Sequence, residues 1–160
     1  MFALIRALTY AAIFIGVVLV YLPASILSSA GISGPAENGP VQIAAMVMVA
    51  AGVLLALWCV LTFALVGKGT PAPFDPPRRL VVSGPYRIVR NPMYIGAGLA
   101  LLGLALYYGS AALFGFVGLF LLIVFLFIVG YEEPTLRRTF GADYEAYTKR
   151  VGRFVPRRRT

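Results

Sequence analysis

Residues 91–131 read NPMYIGAGLALLGLALYYGSAALFGFVGLFLLIVFLFIVGY, 41 residues without one charged side chain. As a single helix the stretch would run about 60 Å at ~1.5 Å per residue, twice the ~30 Å hydrocarbon core of a bilayer. That is too long for one crossing and about right for two short ones. Tyr107-Tyr108-Gly109-Ser110 is the natural turn, with aromatic rings suited to a membrane interface. The stretch therefore reads as a helical hairpin whose two ends, near Asn91 and Tyr131, lie on the same side.

Upstream, residues 7–36 and 38–67 are also uncharged, and each is long enough for one crossing. The chain is 60% hydrophobic and 12% charged, against about 25% charged in soluble domains, which excludes an ordinary soluble domain. Four spans are expected, at roughly 5–28, 41–66, 92–107 and 111–131. The first is too long for the apolar region of a signal peptide and reads as a retained span. The fold class is an all-α integral membrane protein of four transmembrane helices, with a C-terminal helical hairpin and a cytoplasmic amphipathic C-terminal helix. Residues 1–67 form two N-terminal spans. Residues 68–160 form a second region, made of a Pro-rich cytoplasmic loop (68–91), the hairpin (92–131) and C-terminal helices (132–160).

Charge orients this arrangement. One Lys or Arg precedes the first span (Arg6), five lie between the second and third (Lys68, Arg78, Arg79, Arg87, Arg90) and eight follow the fourth, while 29–40 and 107–110 carry none. By the positive-inside rule both termini and the loop 68–91 face the cytoplasm of a multi-pass protein, expected in a prokaryotic inner membrane. The net charge of +8 is tied to the spans. It fits topology and attraction to anionic headgroups, not nucleic acid. Arg157, Arg158 and Arg159 read as solvated anchors.

Two polar blocks flank the hairpin. Gly84-Pro85-Tyr86-Arg87-Ile88-Val89-Arg90-Asn91-Pro92-Met93-Tyr94-Ile95-Gly96 enters it, and Glu132-Glu133-Pro134-Thr135-Leu136-Arg137-Arg138-Thr139-Phe140-Gly141, with Tyr144 and Tyr147, leaves it. Six of eleven prolines fall between Pro71 and Pro92, which rules out a continuous helix there. Leu136, Phe140, Tyr144, Tyr147 and Val151 share one helical face, interrupted at Gly141. That face either lies on the bilayer or packs as a lid over the loop 71–92. Glu132 and Glu133 either mark the helix end, paired with Arg137 or Arg138, or bind a cationic or hydroxyl-bearing ligand. There is no His, and the single Cys59 offers neither a disulfide nor a zinc ligand set. Chemistry must come from carboxylates, arginines, tyrosines, backbone groups or a cofactor, with no metal. Ala44, Ala45, Ala50, Ala51, Gly52 and Ala56 suit the second span to close helix packing.

Taken together and in order, the two blocks resemble the isoprenylcysteine carboxyl methyltransferase family, and phospholipid N-methyltransferases look related in the same region. The resemblance covers roughly residues 68–156. It implies an integral membrane enzyme that moves a methyl group from S-adenosylmethionine to a lipophilic acceptor without a soluble Rossmann domain. It places cofactor contacts on Leu80, Val81, Tyr86, Asn91, Pro92, Met93, Tyr94 and Glu132. Arg90, Asn91 and Glu132 are the expected catalytic residues, and Arg137 and Arg138 are expected to reach the substrate. Two departures stand out. Asn91 replaces the family's usual His and cannot titrate. Phe127, Ile128 and Val129 occupy the turn where prenylcysteine-methylating relatives carry a substrate-binding arginine. A carboxylate acceptor would then need Arg90, Arg137 or Arg138 instead. The competing readings are an NADPH-dependent sterol-reductase-like membrane enzyme and a non-enzymatic membrane scaffold.

Overall fold

The computed structural model describes residue 9 and residues 12–35, 39–67 and 79–157. Arg6, Lys68, Arg78, the prolines between 71 and 77, Arg158 and Arg159 lie outside the described residues. Five helices carry the fold: α1 (Ala12–Ser29), α2 (Pro40–Thr62), α3 (Pro92–Tyr108), α4 (Ala111–Phe127) and α5 (Glu133–Arg150). Among the described residues there is no strand, only an isolated parallel bridge between Val89 and Gly152.

The hairpin turns where the sequence places the turn. Gly109 adopts φ +59°, the left-handed conformation that ends α3, and glycine enters it without a Cβ clash. Ser110 then caps α4, its side chain accepting from the Leu113 amide, which satisfies one of the unpaired N–H groups of the first turn.

α3 is the central helix, and both of its faces are spoken for. Gly96, Ala100 and Gly103 meet Ala45, Val49, Gly52 and Ala56 of α2. A Cβ on Gly52 would stand 2.6 Å from the Ala100 nitrogen, and one on Gly96 would stand 2.7 Å from the Gly52 carbonyl oxygen, so this seam is backbone against backbone. Ala97, Leu101 and Ala105 pack instead with Leu113, Val117, Phe120, Val124 and Ile128 of the α4 rod and with Leu19 and Leu27 of α1. Of the six small α2 residues, Ala45, Gly52 and Ala56 are buried in the seam, whereas Ala44, Ala50 and Ala51 are exposed.

Around this centre the outer helices present large apolar side chains. Ile43, Val47, Leu54 and Leu61 of α2 and Leu119, Leu122, Ile123 and Leu126 of α4 are all exposed. In water such a surface would be an association hazard; against hydrocarbon it is the expected outer face. Among the described residues, three helices are long and apolar enough to cross a membrane: Ala12–Ser29, Pro40–Val66 and the rod Ala111–Arg150. The sequence implied four such spans. Pro92–Tyr108 is apolar but has only 17 residues, about 26 Å at ~1.5 Å per residue, so it falls a few ångströms short of the ~30 Å core.

α4 does not stop at Phe127. It widens into π-helical turns at Ile128–Glu132 and runs straight into α5. α5 bends at Gly141, where φ +49° and ψ −122° leave helical space, as the sequence anticipated. The bend folds the second half of α5 back over residues 80–91. Tyr144, Tyr147 and Val151 cluster there with Leu80, Leu136 and Phe140, so the amphipathic face packs on the loop in the lid arrangement.

Candidate functional site

The antiparallel hairpin sets the start of α3 beside the end of α4, and the two polar blocks meet there. Tyr94, in the first turn of α3, donates its hydroxyl to Glu132 Oε2 at 3.1 Å. Glu133 turns the other way. Arg153 grips it with two parallel bonds, Nε to Oε1 at 2.8 Å and Nη2 to Oε2 at 2.9 Å, and Arg90 Nη1 lies 3.2 Å from Oε1. Successive helical side chains diverge by about 100°, so adjacent glutamates serve different partners. The π-helical turns at Ile128–Glu132 end on the first of them, a distortion that is frequent at functional sites.

The clasp around Glu133 also fixes the backbone. The Arg90 amide donates to the Gly152 carbonyl at 2.8 Å, and both the Asn91 amide and its Nδ2 donate to the Arg153 carbonyl, at 3.2 and 3.3 Å. Arg90 Nη1 donates to the Tyr144 hydroxyl at 3.1 Å, with the guanidinium 5.9 Å from that ring's centre. Burial alone would raise the Glu133 carboxyl. The Arg153 hydrogen bonds and the Arg90 charge outweigh it and hold the group below its ordinary range.

Tyr86 occupies a second pocket. It is buried, packs edge-on to Phe63 at 5.1 Å, shares a side-chain hydrogen bond with Cys59 and accepts at its carbonyl from the Tyr147 hydroxyl at 2.6 Å. Burial and the Cys59 contact push its phenol well above the usual value, so it remains a neutral aromatic wall. Gly84 lets the loop come this close. Its φ is +57°, and a Cβ there would sit 3.0 Å from Thr62 Oγ1.

The expected site residues thus divide. Val81 and Met93 pack with Tyr86 and Cys59. Tyr94 and Glu132 are bonded, and Pro92 opens α3 at its N-terminus. Leu80 points to the other side of the loop and joins the α5 cluster. Asn91 is buried, and its amide donor is engaged by the Arg153 carbonyl. Arg90 belongs to the Glu133 clasp. Arg137 and Arg138 are exposed: Arg137 pairs with Glu145 at 3.1 Å, and Arg138 Nε donates to the Pro134 carbonyl. Neither is bonded to Glu132 or Glu133, although the Arg137 charge helps to lower the Glu133 carboxyl. Arg157, read as a solvated anchor, is exposed and also donates Nη1 to the Thr148 and Lys149 carbonyls, closing the end of α5.

Arg153 escaped the sequence reading, which offered Arg137 or Arg138 as the partner of the paired glutamates. Arg153 reaches back across 20 residues, and its guanidinium lies 5.9 Å from the Phe125 ring, close to the aliphatic turn at 127–129. Its only sequence signal is that it follows the apolar face ending at Val151 by two residues.

A bundle of apolar helices carrying carboxylates, arginines and tyrosines at one end defines a membrane protein with a polar site at the mouth of its hairpin. The chain belongs to the phospholipid methyltransferase family, whose model matches residues 41–143. The match takes in α2, the loop, the hairpin and the first half of α5. Membership makes it a membrane methyltransferase. Comparison with curated proteins and with solved structures gives no match.

Proposed function

We propose that the protein transfers a methyl group from S-adenosylmethionine to a lipophilic acceptor that reaches the site from the bilayer. The observation that carries this is the Tyr94–Glu132 bond, which joins the two blocks at one point. Three features suit the cofactor. Glu132 is a half-buried carboxylate fit for a ribose diol. Tyr86 and Tyr94 offer aromatic faces to a sulfonium cation. Val81 and Met93 beside Tyr86 supply an apolar slot for an adenine.

When bound, S-adenosylmethionine supplies an activated methyl group. What remains for the chain is alignment, worth several kcal/mol of barrier in well-oriented reactions. Tyr94 holds Glu132. Arg90, Asn91 and Arg153 fix the entrance of α3 against the end of α5, so that the groups on both blocks keep their spacing. The tyrosines need not titrate, and no imidazole is required.

Glu133 takes both Arg90 and Arg153, while Glu132 is bonded to Tyr94. A carboxylate acceptor at the meeting point of the two blocks would find Arg90 and Arg153 already spent on Glu133, and burying it unpaired would be costly. The preferred acceptor is accordingly a neutral or amine-bearing lipophile rather than a free prenylcysteine carboxylate. Purified protein incubated with labelled S-adenosylmethionine and either N-acetyl-farnesylcysteine or lipophilic amines, phenols and thiols should label the second group. Efficient methylation of the farnesylcysteine would refute the preference.

The proposal includes four spans, with Pro92–Tyr108 as a short crossing, and a cytoplasmic site in a prokaryotic inner membrane. Cysteines placed at Ser33 and Ala111, both exposed, should label from outside the cytoplasm only. Cytoplasmic labelling at Ala111, beside the turn, would break the hairpin topology.

A further inference from the structure

Beside the methyl-transfer site, the fold of α5 over the loop creates a second concavity. Among the described residues it is an open groove of about 1240 Å³ between residues 79–88 and the second half of α5. Five cations line it, namely Arg79, Arg87, Lys149, Arg150 and Arg157, against one carboxylate, Asp143. Its floor is apolar, with Leu80, Ile88, Phe140 and Val151. Tyr94, Met93 and Glu132 do not line it.

We propose that this groove binds the headgroup of an anionic phospholipid, held as a bound lipid distinct from the methyl acceptor. Charge complementarity excludes the cofactor, since a sulfonium cation would meet five positive side chains and one negative one. It equally selects an anion. The helix end adds little opposing charge, because Arg157 already caps the Thr148 and Lys149 carbonyls and Arg150 Nε donates to the Ala146 carbonyl.

The apolar component decides between a lipid and a soluble phosphate. Ile88 is 57% exposed and Val82, also in the lining, 46%. Val155, next to the lining residue Pro156, is 72% exposed. Exposed aliphatic side chains set among cations are the pattern of a surface that lies in the headgroup layer, with the apolar groups entering the acyl boundary. The groove is also tethered to that layer at both sides, because α5 continues the membrane rod Ala111–Arg150 and residues 79–91 lead directly into α3. A free phosphate would gain nothing from the apolar floor, whereas a lipid uses both.

Each Lys or Arg near an anionic surface contributes about a fivefold gain in affinity, so removing two should weaken binding about twenty-fivefold. The test uses the full chain in a neutral detergent and phosphatidylglycerol carrying a fluorophore on its acyl chain. Binding should saturate at one lipid per chain. It should weaken about twenty-fivefold in Arg87→Ala/Arg150→Ala and persist in Arg87→Lys/Arg150→Lys. Phosphatidylcholine and glycerol phosphate should compete poorly. If the alanine pair does not fold, the wild-type chain titrated from low to high salt reads the same charges, and a loss of tenfold or more is expected. Affinity unmoved by salt or by the alanine pair would overturn the proposal. So would equal competition by glycerol phosphate, which would make this a soluble-anion site, or displacement by an acidic peptide at lower concentration than the lipid. A failure of methyl transfer would leave all of these readings intact.

Discussion

The α2–α3 seam and the polar end of the hairpin hold the same molecule together by opposite means. In the seam nothing is charged, and Gly52, Gly96 and Gly103 bring backbone to within contact of backbone. At the polar end the backbones are linked by side chains, and one buried carboxylate, Glu133, serves two arginines. A membrane gives apolar side chains no reason to prefer each other over lipid, so the seam relies on close fit. The polar end leaves hydrocarbon, and there charge and hydrogen bonds can specify geometry. The lesson is that chemistry needing exact spacing sits where directional bonds are available, on a scaffold held by shape.

The largest effect is expected at the polar end. Glu133→Ala leaves Arg90, whose side chain is 12% exposed, without its charge partner, and should cost about 3–5 kcal/mol in unfolding experiments. Arg153 is one-third exposed and keeps part of its hydration, so the lower half of that range is expected. The carboxyl is held below its ordinary 4.5. Its contribution is therefore complete above that pH and lost as pH falls through the lower folded value. Wild-type stability should drop in this acid window, and that drop should be smaller in Glu133→Ala.

The seam should give next. Gly52→Ala or Gly96→Ala places a methyl against main-chain atoms that cannot rotate away, at about 1–3 kcal/mol. Gly115→Ala on α4 is the contrast: a Cβ there meets nothing within 4 Å, so the change should be neutral or gain up to about 1 kcal/mol. Equal losses at Gly52 and Gly115 would remove the seam from the account. The smallest effect is Tyr147→Phe, which deletes the bond to the Tyr86 carbonyl and should cost about 1 kcal/mol in thermal unfolding.

The same contrast governs what the sequence could reveal. The hairpin was legible because an uncharged stretch of that length has few solutions, and Gly109 and Ser110 close it where expected. The meeting of Tyr94 with Glu132 followed from the hairpin alone. The facing surfaces of the seam were not legible, because Ala44 and Ala45 look alike until a partner buries one of them. The Glu133–Arg153 clasp was hidden by the kink at Gly141, since no helical spacing relates residues 20 apart across a break. Leu80 and Val81 were grouped as neighbours, yet the loop sends them to opposite sides.

The central claim is that the two blocks form one cofactor site through Tyr94 and Glu132. Calorimetric titration of S-adenosylhomocysteine into the wild-type chain, Tyr94→Phe, Glu132→Ala and the double variant tests it. Glu132→Ala should weaken binding by about 1.5–3 kcal/mol, and the double variant should lose less than the sum of the singles, because the two residues act through one bond. Unchanged affinity in a folded Glu132→Ala protein would contradict the account and move the site elsewhere.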